Sequence, residues 1–203
     1  MMPVAERVAQ KRLGRVEYQP TAQAMRSFTL GRGPDTPDEL WLVEHPPVYT
    51  LGQGAAPLAV ANGIPVVRAD RGGEVTYHGP GQAVLYTLVD LARRNIKVKR
   101  FVWLLEQAVI DFLAGRGERR PGAPGVYVDG AKIAALGIRV ARGRAYHGLA
   151  LNVDMDLAPF GCIDPCGYPG LAVTDLKRIG LGRPLDEAAA QLARCFLEGL
   201  ERA

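Results

Sequence analysis

The chain has 203 residues, 48% of them apolar and 23% charged, with a net charge of +4. This balance is that of an ordinary soluble globular protein. No apolar run reaches about 18 residues, which argues against a transmembrane helix. Residues 1–15 carry charges throughout, unlike a signal peptide. Three cysteines, an odd number, fit a reducing compartment better than a disulfide scaffold. We therefore expect one cytoplasmic domain spanning residues 1–203.

Hydrophobic patterns predict the regular elements. Apolar or alternating runs bounded by turn residues predict strands over 39–44, 65–68, 82–91, 126–128, 133–140 and 146–155. Asp129-Gly130, between two of these runs, is typical of a tight hairpin turn. Helical spacing of apolar residues predicts helices over 100–114 and 184–203. Strands interrupted by a few helices, without regular alternation, indicate an α+β fold with helices on one side of the sheet.

Few residues are candidates for covalent chemistry. Ser27 is the only serine and lacks a nucleophile-elbow sequence, which excludes a serine hydrolase of that type. A Walker A sequence is also absent. The three histidines, His45, His78 and His147, are too far apart in the sequence to suggest a metal site. Cysteine is the remaining nucleophile.

The cysteines differ in their surroundings. Cys195 falls on the apolar face of the last predicted helix, where a buried structural thiol is expected. Cys162 and Cys166 belong to a segment rich in proline and glycine, with Pro165 before Cys166 and Gly167 after it. Such a segment predicts a loop, where functional groups concentrate. A reactive thiol at Cys166 and a facultative Cys162–Cys166 disulfide both remain open on these grounds.

Lys132 is unusual because the chain uses arginine far more often than lysine. Its spacing from Ala134, Leu136 and Ile138 predicts that it shares an apolar strand face with them. One interpretation is a lysine near the strand's start that curls out to water. The other is a partly desolvated ammonium that lowers the pKa of a neighbouring thiol and so favours the thiolate.

Basic residues form two clusters, at 93–100 and 116–120. They are explained either by solvated helix flanks or by a docking surface for an acidic partner. A nucleic-acid-binding module is a further alternative, but the clusters lack interleaved aromatic residues and a recognition motif.

Several sequence blocks together resemble one enzyme family. Residues 71–82 read Arg-Gly-Gly-Glu-Val-Thr-Tyr-His-Gly-Pro-Gly-Gln, and Tyr86 follows. Further blocks are Gly130-Ala-Lys-Ile133, Ala135-Leu-Gly137, His147-Gly-Leu-Ala-Leu-Asn152 and Pro165-Cys-Gly-Tyr168. In this order, over about residues 40–176, they resemble the octanoyltransferases of lipoate synthesis. Cys162 lies outside that pattern.

The resemblance implies roles for particular residues. Cys166 matches the acyl-thioester nucleophile, and Lys132 matches the lysine that lowers its pKa. Three segments match the acyl-substrate site: Arg71, Gly72, Gly73, Glu74, Val75, Thr76, Tyr77 and His78; Ala135, Leu136 and Gly137; and Gly148, Leu149 and Ala150. Small residues among them are expected to leave room for an acyl tail. His78 is expected to orient the substrate or to stabilise the loop.

The resemblance also implies a fold, partners and a reaction. The fold is a mixed β-sheet with flanking helices, shared with biotin and lipoate protein ligases. Octanoyl-acyl carrier protein is the donor, and apo-lipoyl domains of 2-oxoacid dehydrogenases and the glycine cleavage H protein are the acceptors. The family uses no cofactor, neither ATP nor metal, and we expect a monomer. The alternatives are an ATP-dependent lipoate or biotin protein ligase and the basic nucleic-acid-binding module.

Overall fold

A computed structural model describes residues 8–163 and 170–203; Cys166 lies outside the described residues. The strands are β1 (Val8–Arg15), β2 (Asp38–Glu44), β3 (Val48–Leu51), β4 (Val66–Arg68), β5 (Val75–His78), β6 (Gln82–Asp90), β7 (Gly125–Val128), β8 (Ala131–Ala141) and β9 (Arg144–Asn152). The α-helices are α1 (Tyr18–Gly31), α2 (Val98–Phe112) and α3 (Leu185–Glu201). A short 3-10 helix covers Ala158–Cys162.

The strands form two mixed sheets. The larger has six strands in the order β1-β2-β6-β9-β8-β7, with β1 and β2 parallel and the remaining neighbours antiparallel. The smaller has the order β4-β3-β5, with β4 parallel and β5 antiparallel to β3. The expectation of a mixed sheet with flanking helices is confirmed.

One face of the large sheet packs against α2 and α3. Leu40 and Leu42 of β2 point to this side, into a cluster that includes Phe101 of α2 and Phe196 of α3. The two phenylalanine rings meet edge to face with centroids 6.0 Å apart. Because apolar residues recur at helical spacing on both helices, each has one buried stripe, and this stripe forms the main core.

The other face of the large sheet packs against α1. Trp41 and Val43, the alternate residues of β2, contact a cluster that contains Met25 of α1. The expectation that all helices lie on one side was therefore wrong. Strand alternation makes both faces of β2 apolar, so each face must be covered by other elements. The small sheet lies on the α1 side, and a cleft forms between the two sheets.

Among the described residues, no helix is both long and apolar enough to cross a membrane.

Candidate active site

The cleft between the sheets brings together most of the residues predicted to bind substrate. About 500 Å³ of empty space, which includes open solvent, lies between its walls. Twelve of the fourteen predicted residues line it: Arg71, Gly73, Glu74, Val75, Thr76, His78, Ala135, Leu136, Gly137, Gly148, Leu149 and Ala150. Three segments that are distant in sequence therefore converge on one cavity.

Two of the predicted residues lie elsewhere. Tyr77 points to the opposite side of β5 from Thr76 and His78, and it packs against Tyr49 and Phe160. This follows from strand alternation, which sends neighbouring side chains to opposite faces. Gly72 lines a second cleft that borders the first at Gly73.

Arg71 anchors the loop that closes one side of the cleft. Its guanidinium donates hydrogen bonds to the Thr50 backbone carbonyl at 2.6 Å and to the Gly72 carbonyl at 3.0 Å. The Gly72 N–H donates to the Ile138 carbonyl at 2.8 Å, so the loop crosses β8. A Cβ at Gly137 would lie 3.0 Å from both Arg71 Cδ and the Gly72 oxygen. Gly137 therefore makes room for this loop as well as bordering the cleft.

His78 is held neutral beneath the cleft. Gln82 donates from its Nε2 to the Tyr77 carbonyl and to Asn152 Oδ1, which leaves its oxygen to accept from His78 Nδ1 at 2.7 Å. Burial lowers the His78 pKa to about 3. Asn152 in turn donates to the Thr174 carbonyl at 2.9 Å. The network therefore links His78 to the chain segment that follows residue 170.

All three histidines of the chain belong to one aromatic cluster, which the sequence did not indicate. The His45 ring lies 5.8 Å from the His78 ring and 5.8 Å from the Tyr86 ring, and Tyr86 lies 6.1 Å from His147. His45 Nδ1 faces the Val16 carbonyl, so its Nε2 accepts from the Tyr86 hydroxyl at 2.7 Å. Within 8–163 and 170–203, no group of histidine, cysteine and acidic side chains is arranged to hold a metal ion.

His147 is fixed by a carboxylate. Its Nε2 lies 2.8 Å from Asp70 Oδ1, and the Tyr146 hydroxyl donates to the other Asp70 oxygen. The hydrogen bond from His147 is the main cause that lowers the Asp70 pKa to about 2. Burial lowers the His147 pKa, so the ring is neutral at pH 7. His147 also has φ +61, an uncommon conformation for a residue with a side chain.

Lys132 is buried, but not on the strand face that was predicted. A register shift between β7 and β8 makes Ile133 an extra residue, so that Tyr127 pairs with Lys132 and Val126 with Ala134. Ile133 and Ala134 both enter the main core, as do Val126 and Val128, whereas Tyr127, the residue that pairs with Lys132, does not. The predicted phase of Lys132 with Ala134 was wrong because this β-bulge reverses the alternation. Lys132 is 3% exposed, with its Nζ 5.4 Å from the centre of the Tyr127 ring.

The backbone of Lys132 pairs with the chain just after the undescribed segment. Its N–H donates to the Ala172 carbonyl at 2.8 Å, and its carbonyl accepts from the Thr174 N–H at 3.0 Å. Gly125 leaves space for the lysine side chain, because a Cβ there would lie 2.5 Å from Lys132 Cε. Lys132 is thus held on both its backbone and its side chain.

The described cysteines fit their expected surroundings only in part, since Cys195 was expected to be buried and Cys162 to lie in a loop. Cys162 is exposed and free, at the end of the 3-10 helix. Cys195 is free and partly buried, it packs against the main core, and burial raises its pKa.

Part of the predicted basic surface is neutralised within the protein. Arg93 and Arg94 form ion pairs with buried Asp38 at 2.7 and 2.6 Å. Arg119 pairs with Glu106 at 3.1 Å. Lys97 and Arg100, near the start of α2, are exposed. The surface available to an acidic partner is therefore smaller than the sequence suggested.

Comparison with solved structures identifies the class of the fold. A bipartite lipoate protein ligase from Thermoplasma acidophilum superposes with a TM-score of 0.70 at 18% identity, covering 95% of this chain and 84% of that one. A biotin protein ligase from Aquifex aeolicus, in complex with biotin and ATP, gives 0.62 at 12% identity, covering 96% and 71%. The fold is that of the lipoate and biotin protein ligase catalytic domains.

Sequence comparison narrows this class. The model of the lipoyl protein ligase A/B catalytic domain matches residues 19–197. A protein named octanoyltransferase from Aromatoleum aromaticum is 58% identical over 95% of this chain and 84% of its own length. Another, from an Azoarcus species, is 62% identical over 89% and 81%. The chain belongs to the octanoyltransferase family.

Four further residues line the cleft that were not among the predicted substrate-binding residues. Tyr86 and His147 stand at the edges of motif blocks, and Val84 lies on the same face of β6 as Tyr86. Tyr18 comes from α1, which no motif covers. Only the proximity of α1 to the sheet reveals Tyr18.

Proposed function

We propose that the protein transfers an octanoyl group from octanoyl-acyl carrier protein to a lysine of apo-lipoyl domains. The observation that supports this proposal most strongly is the high sequence identity, over nearly the whole chain, to proteins named octanoyltransferase. The cleft supports this proposal because apolar and small residues such as Val75, Ala135 and Leu149 line it. Part of its wall is β8, the strand that also carries the buried Lys132. Burying about six methylenes is worth on the order of 5 kcal/mol, enough to select an acyl chain.

Cys166 is the proposed nucleophile and Lys132 its partner. Lys132 pairs through its backbone with Ala172 and Thr174, which follow Cys166 by six and eight residues in the sequence. An ammonium beside a thiol favours the thiolate, which is the reactive form. Lys132 is nearly inaccessible to water, a setting in which its charge acts strongly on a neighbour.

The reaction proceeds in two steps. The Cys166 thiolate attacks the acyl thioester, a carbon–sulfur bond forms to Cys166, and the carrier's thiol leaves with a proton from Lys132. The acceptor lysine amine then attacks the Cys166 thioester, forming an amide and releasing the Cys166 sulfur. Neutral Lys132 accepts the amine's proton, which restores the starting state. Exchange between thioesters is near balance and amide formation is downhill, so no nucleotide enters the scheme.

Intact-mass measurement after incubation with octanoyl-acyl carrier protein tests the proposal. The wild-type protein should gain an octanoyl increment that hydroxylamine removes, and Cys166→Ala should gain none. The ligase alternative predicts transfer of free octanoate that requires ATP and survives in Cys166→Ser. An unmodified wild-type protein together with ATP-dependent transfer would overturn the proposal in favour of the ligase.

The exposed basic residues at the start of α2 are the proposed contact for the acidic carrier protein. Lys97, Lys99 and Arg100 are exposed, and Arg100 stacks on Trp103 at 4.2 Å. A Lys97→Glu/Lys99→Glu variant should raise the KM for the carrier-bound donor. The same variant should not change the KM for octanoyl-N-acetylcysteamine, which lacks the protein. Equal effects on both donors would exclude this contact.

We further propose that the enzyme acts as a cytoplasmic monomer and that residues 1–203 form one catalytic domain.

A further inference from the structure

The side chain of His147 breaks the alternation of β9. Ala145 and Leu151 point into the main core, so alternation would send the His147 ring to the same side. Instead the ring contacts Tyr146 and Tyr86, which belong to the cluster on the opposite face, with centroids 5.0 and 6.1 Å away. The residue has φ +61, a left-handed conformation that is unfavourable for any residue except glycine. The backbone is therefore strained where the ring enters the cleft.

The His147 ring is held in place on the cleft side. Its Nε2 donates to Asp70 Oδ1 at 2.8 Å, and the Tyr146 hydroxyl donates to the other Asp70 oxygen. The residue is 1% exposed, and within the part of the chain that the structure describes its Nδ1 has no hydrogen-bond partner. Strain and an unpaired buried nitrogen both cost free energy, and such costs concentrate at functional sites. A residue that only filled space would need neither.

His147 is the last residue of β9 that lines the cleft. The lining residues run from Ala150 to His147 on β9 and from Ala135 to Gly137 on β8. Asp70, which holds the imidazole from behind, does not line the cleft. The ring therefore forms the end of the cleft on this side.

Strand register places this end away from the reacting groups. A Cβ at Gly125, which pairs with Ala135, would lie 3.2 Å from Lys132 Nζ, so the ammonium lies near that register. His147 pairs with Ile138, three residues further along β8. Three strand residues rise by about 10 Å. An extended eight-carbon chain that starts beside the ammonium and follows β8 covers a similar distance.

We propose that His147 sets the length of the acyl chain that the enzyme accepts, because its ring ends the cleft at about the reach of an eight-carbon chain. This rests on the proposed function, since the reaction holds the first carbon of the chain beside Lys132. Apolar residues such as Val75 and Leu149 line the cleft before the ring. A longer chain would have to displace a ring that is bonded to the Asp70 carboxylate, and it would cover the unpaired Nδ1 without bonding to it.

Competition between acyl donors tests this limit. The N-acetylcysteamine thioesters of octanoate and decanoate are compared in the wild type, His147→Asn and His147→Gly. Asparagine and glycine tolerate positive φ, so both variants shorten the side chain without adding backbone strain. The kcat/KM ratio of decanoyl to octanoyl should rise about tenfold in His147→Gly, because each further buried methylene strengthens binding about fourfold. A ratio that stays at the wild-type value overturns the proposal; should His147→Gly not fold, the ratio in His147→Asn decides in the same way.

Ile138→Ala is the matched control at the same register. Ile138 pairs with His147, but it lines the neighbouring cleft and not the first one. Its replacement enlarges the neighbouring cleft and should leave the donor ratio unchanged. If Ile138→Ala raises the decanoyl ratio and His147→Gly does not, the acyl chain lies in the neighbouring cleft and the proposal is wrong.

Binding of free acids separates failure of the length limit from failure of the proposed function. Calorimetric titration with hexanoate, octanoate and decanoate requires no acyl transfer. In the wild type the affinity should rise about tenfold from six to eight carbons and no further, whereas in His147→Gly it should rise again from eight to ten. If no thioester acylates the protein, the proposed function fails, and the titrations still decide the limit. A wild-type affinity that rises equally up to ten carbons overturns it.

Discussion

The two faces of the six-stranded sheet bury different chemistry although the same strands build both. The face toward α2 and α3 is a continuous apolar cluster that includes Phe101 and Phe196. The face toward α1 and the small sheet holds buried histidines, tyrosines and Arg71 around a cleft. One face therefore contributes mainly to stability, and the other carries hydrogen-bonded groups that shape the cleft. Each prediction below tests this division.

Lys132→Met, on the side of the cleft, should have the largest effect of all, a loss of octanoyl transfer. Methionine keeps a similar length and apolar stem but cannot hold or transfer a proton. We expect kcat/KM for octanoyl transfer to fall by about 10²–10⁴-fold, the range for losing a positioned acid–base group. Stopped assays with octanoyl-N-acetylcysteamine and an apo-lipoyl domain measure it.

Stability gives the control for Lys132→Met. Its urea denaturation should remain a single cooperative transition, because methionine fills a similar volume. An active Lys132→Met enzyme would remove Lys132 from the mechanism.

Phe196→Ala should destabilise the face of the sheet that packs against α2 and α3. Phe196 is fully buried and contacts Phe101, so the change leaves a cavity and lowers the free energy of unfolding by about 3–5 kcal/mol. Urea denaturation measures this loss. At a temperature where the variant is folded, its kcat/KM should match the wild type. A large loss of activity in the folded variant would show that the two faces are coupled.

The pH dependence of stability should come mainly from the cleft face. Burial lowers the pKa of His45, His78 and His147 from 6.5, that of His78 to about 3. Between pH 6.5 and 5 these histidines bind protons in the unfolded chain but stay neutral in the folded chain. The free energy of unfolding therefore falls as the pH drops. Each fully displaced proton contributes up to about 1.4 kcal/mol per pH unit. Urea titrations at several pH values check the slope.

Measurements above pH 5 report the titration of the histidines without that of the carboxylates, which titrate at lower pH. Asp70, whose pKa is lowered to about 2, adds stability that is lost only as pH falls from about 4 toward 2. A His78→Asn variant should show a shallower slope between pH 6.5 and 5, because one titrating group is gone. A flat profile in the wild type would contradict the buried neutral histidines.

The sequence predicted much of this architecture because its strongest signals are local. The apolar spacing of Phe101, Leu105 and Val109 located α2, and Asp129-Gly130 located the β7–β8 hairpin. The short strands β3 and β5 were missed, since four residues beside proline or glycine give little periodicity. No pattern marked β1, whose residues are mostly exposed.

The site was only partly predictable, because its geometry depends on contacts distant in sequence. The motif blocks supplied most of the residues that line the cleft. They did not reveal that His45, His78 and His147 meet around Tyr86, or that Tyr18 of α1 joins them. A one-residue bulge also reversed the phase of Lys132, and such a bulge leaves no hydrophobic signature.

Gly125→Ala tests that bulge with the smallest expected effect. Gly125 has φ +144, and an added Cβ would lie 2.5 Å from Lys132 Cε and 2.8 Å from the Ala134 carbonyl. The lysine must then move away from its place over the Tyr127 ring. Because a displacement of about 1 Å can cost as much as a hundredfold in rate, we expect kcat to fall about ten- to a hundredfold.

The split between kcat and KM distinguishes this effect from a loss of folding. The KM for octanoyl-N-acetylcysteamine should change little, because Gly125 does not line the cleft between the two sheets. Gly130→Ala is a matched control in the same hairpin, since an added Cβ there meets only the Arg120 side chain, at 3.4 Å. Gly130 also has a positive φ, +82, so its alanine variant carries backbone strain in the same hairpin without an added Cβ against the lysine. Equal losses of kcat in the two variants would assign the effect to strain in the hairpin, whereas a loss confined to Gly125→Ala assigns it to the position of the lysine.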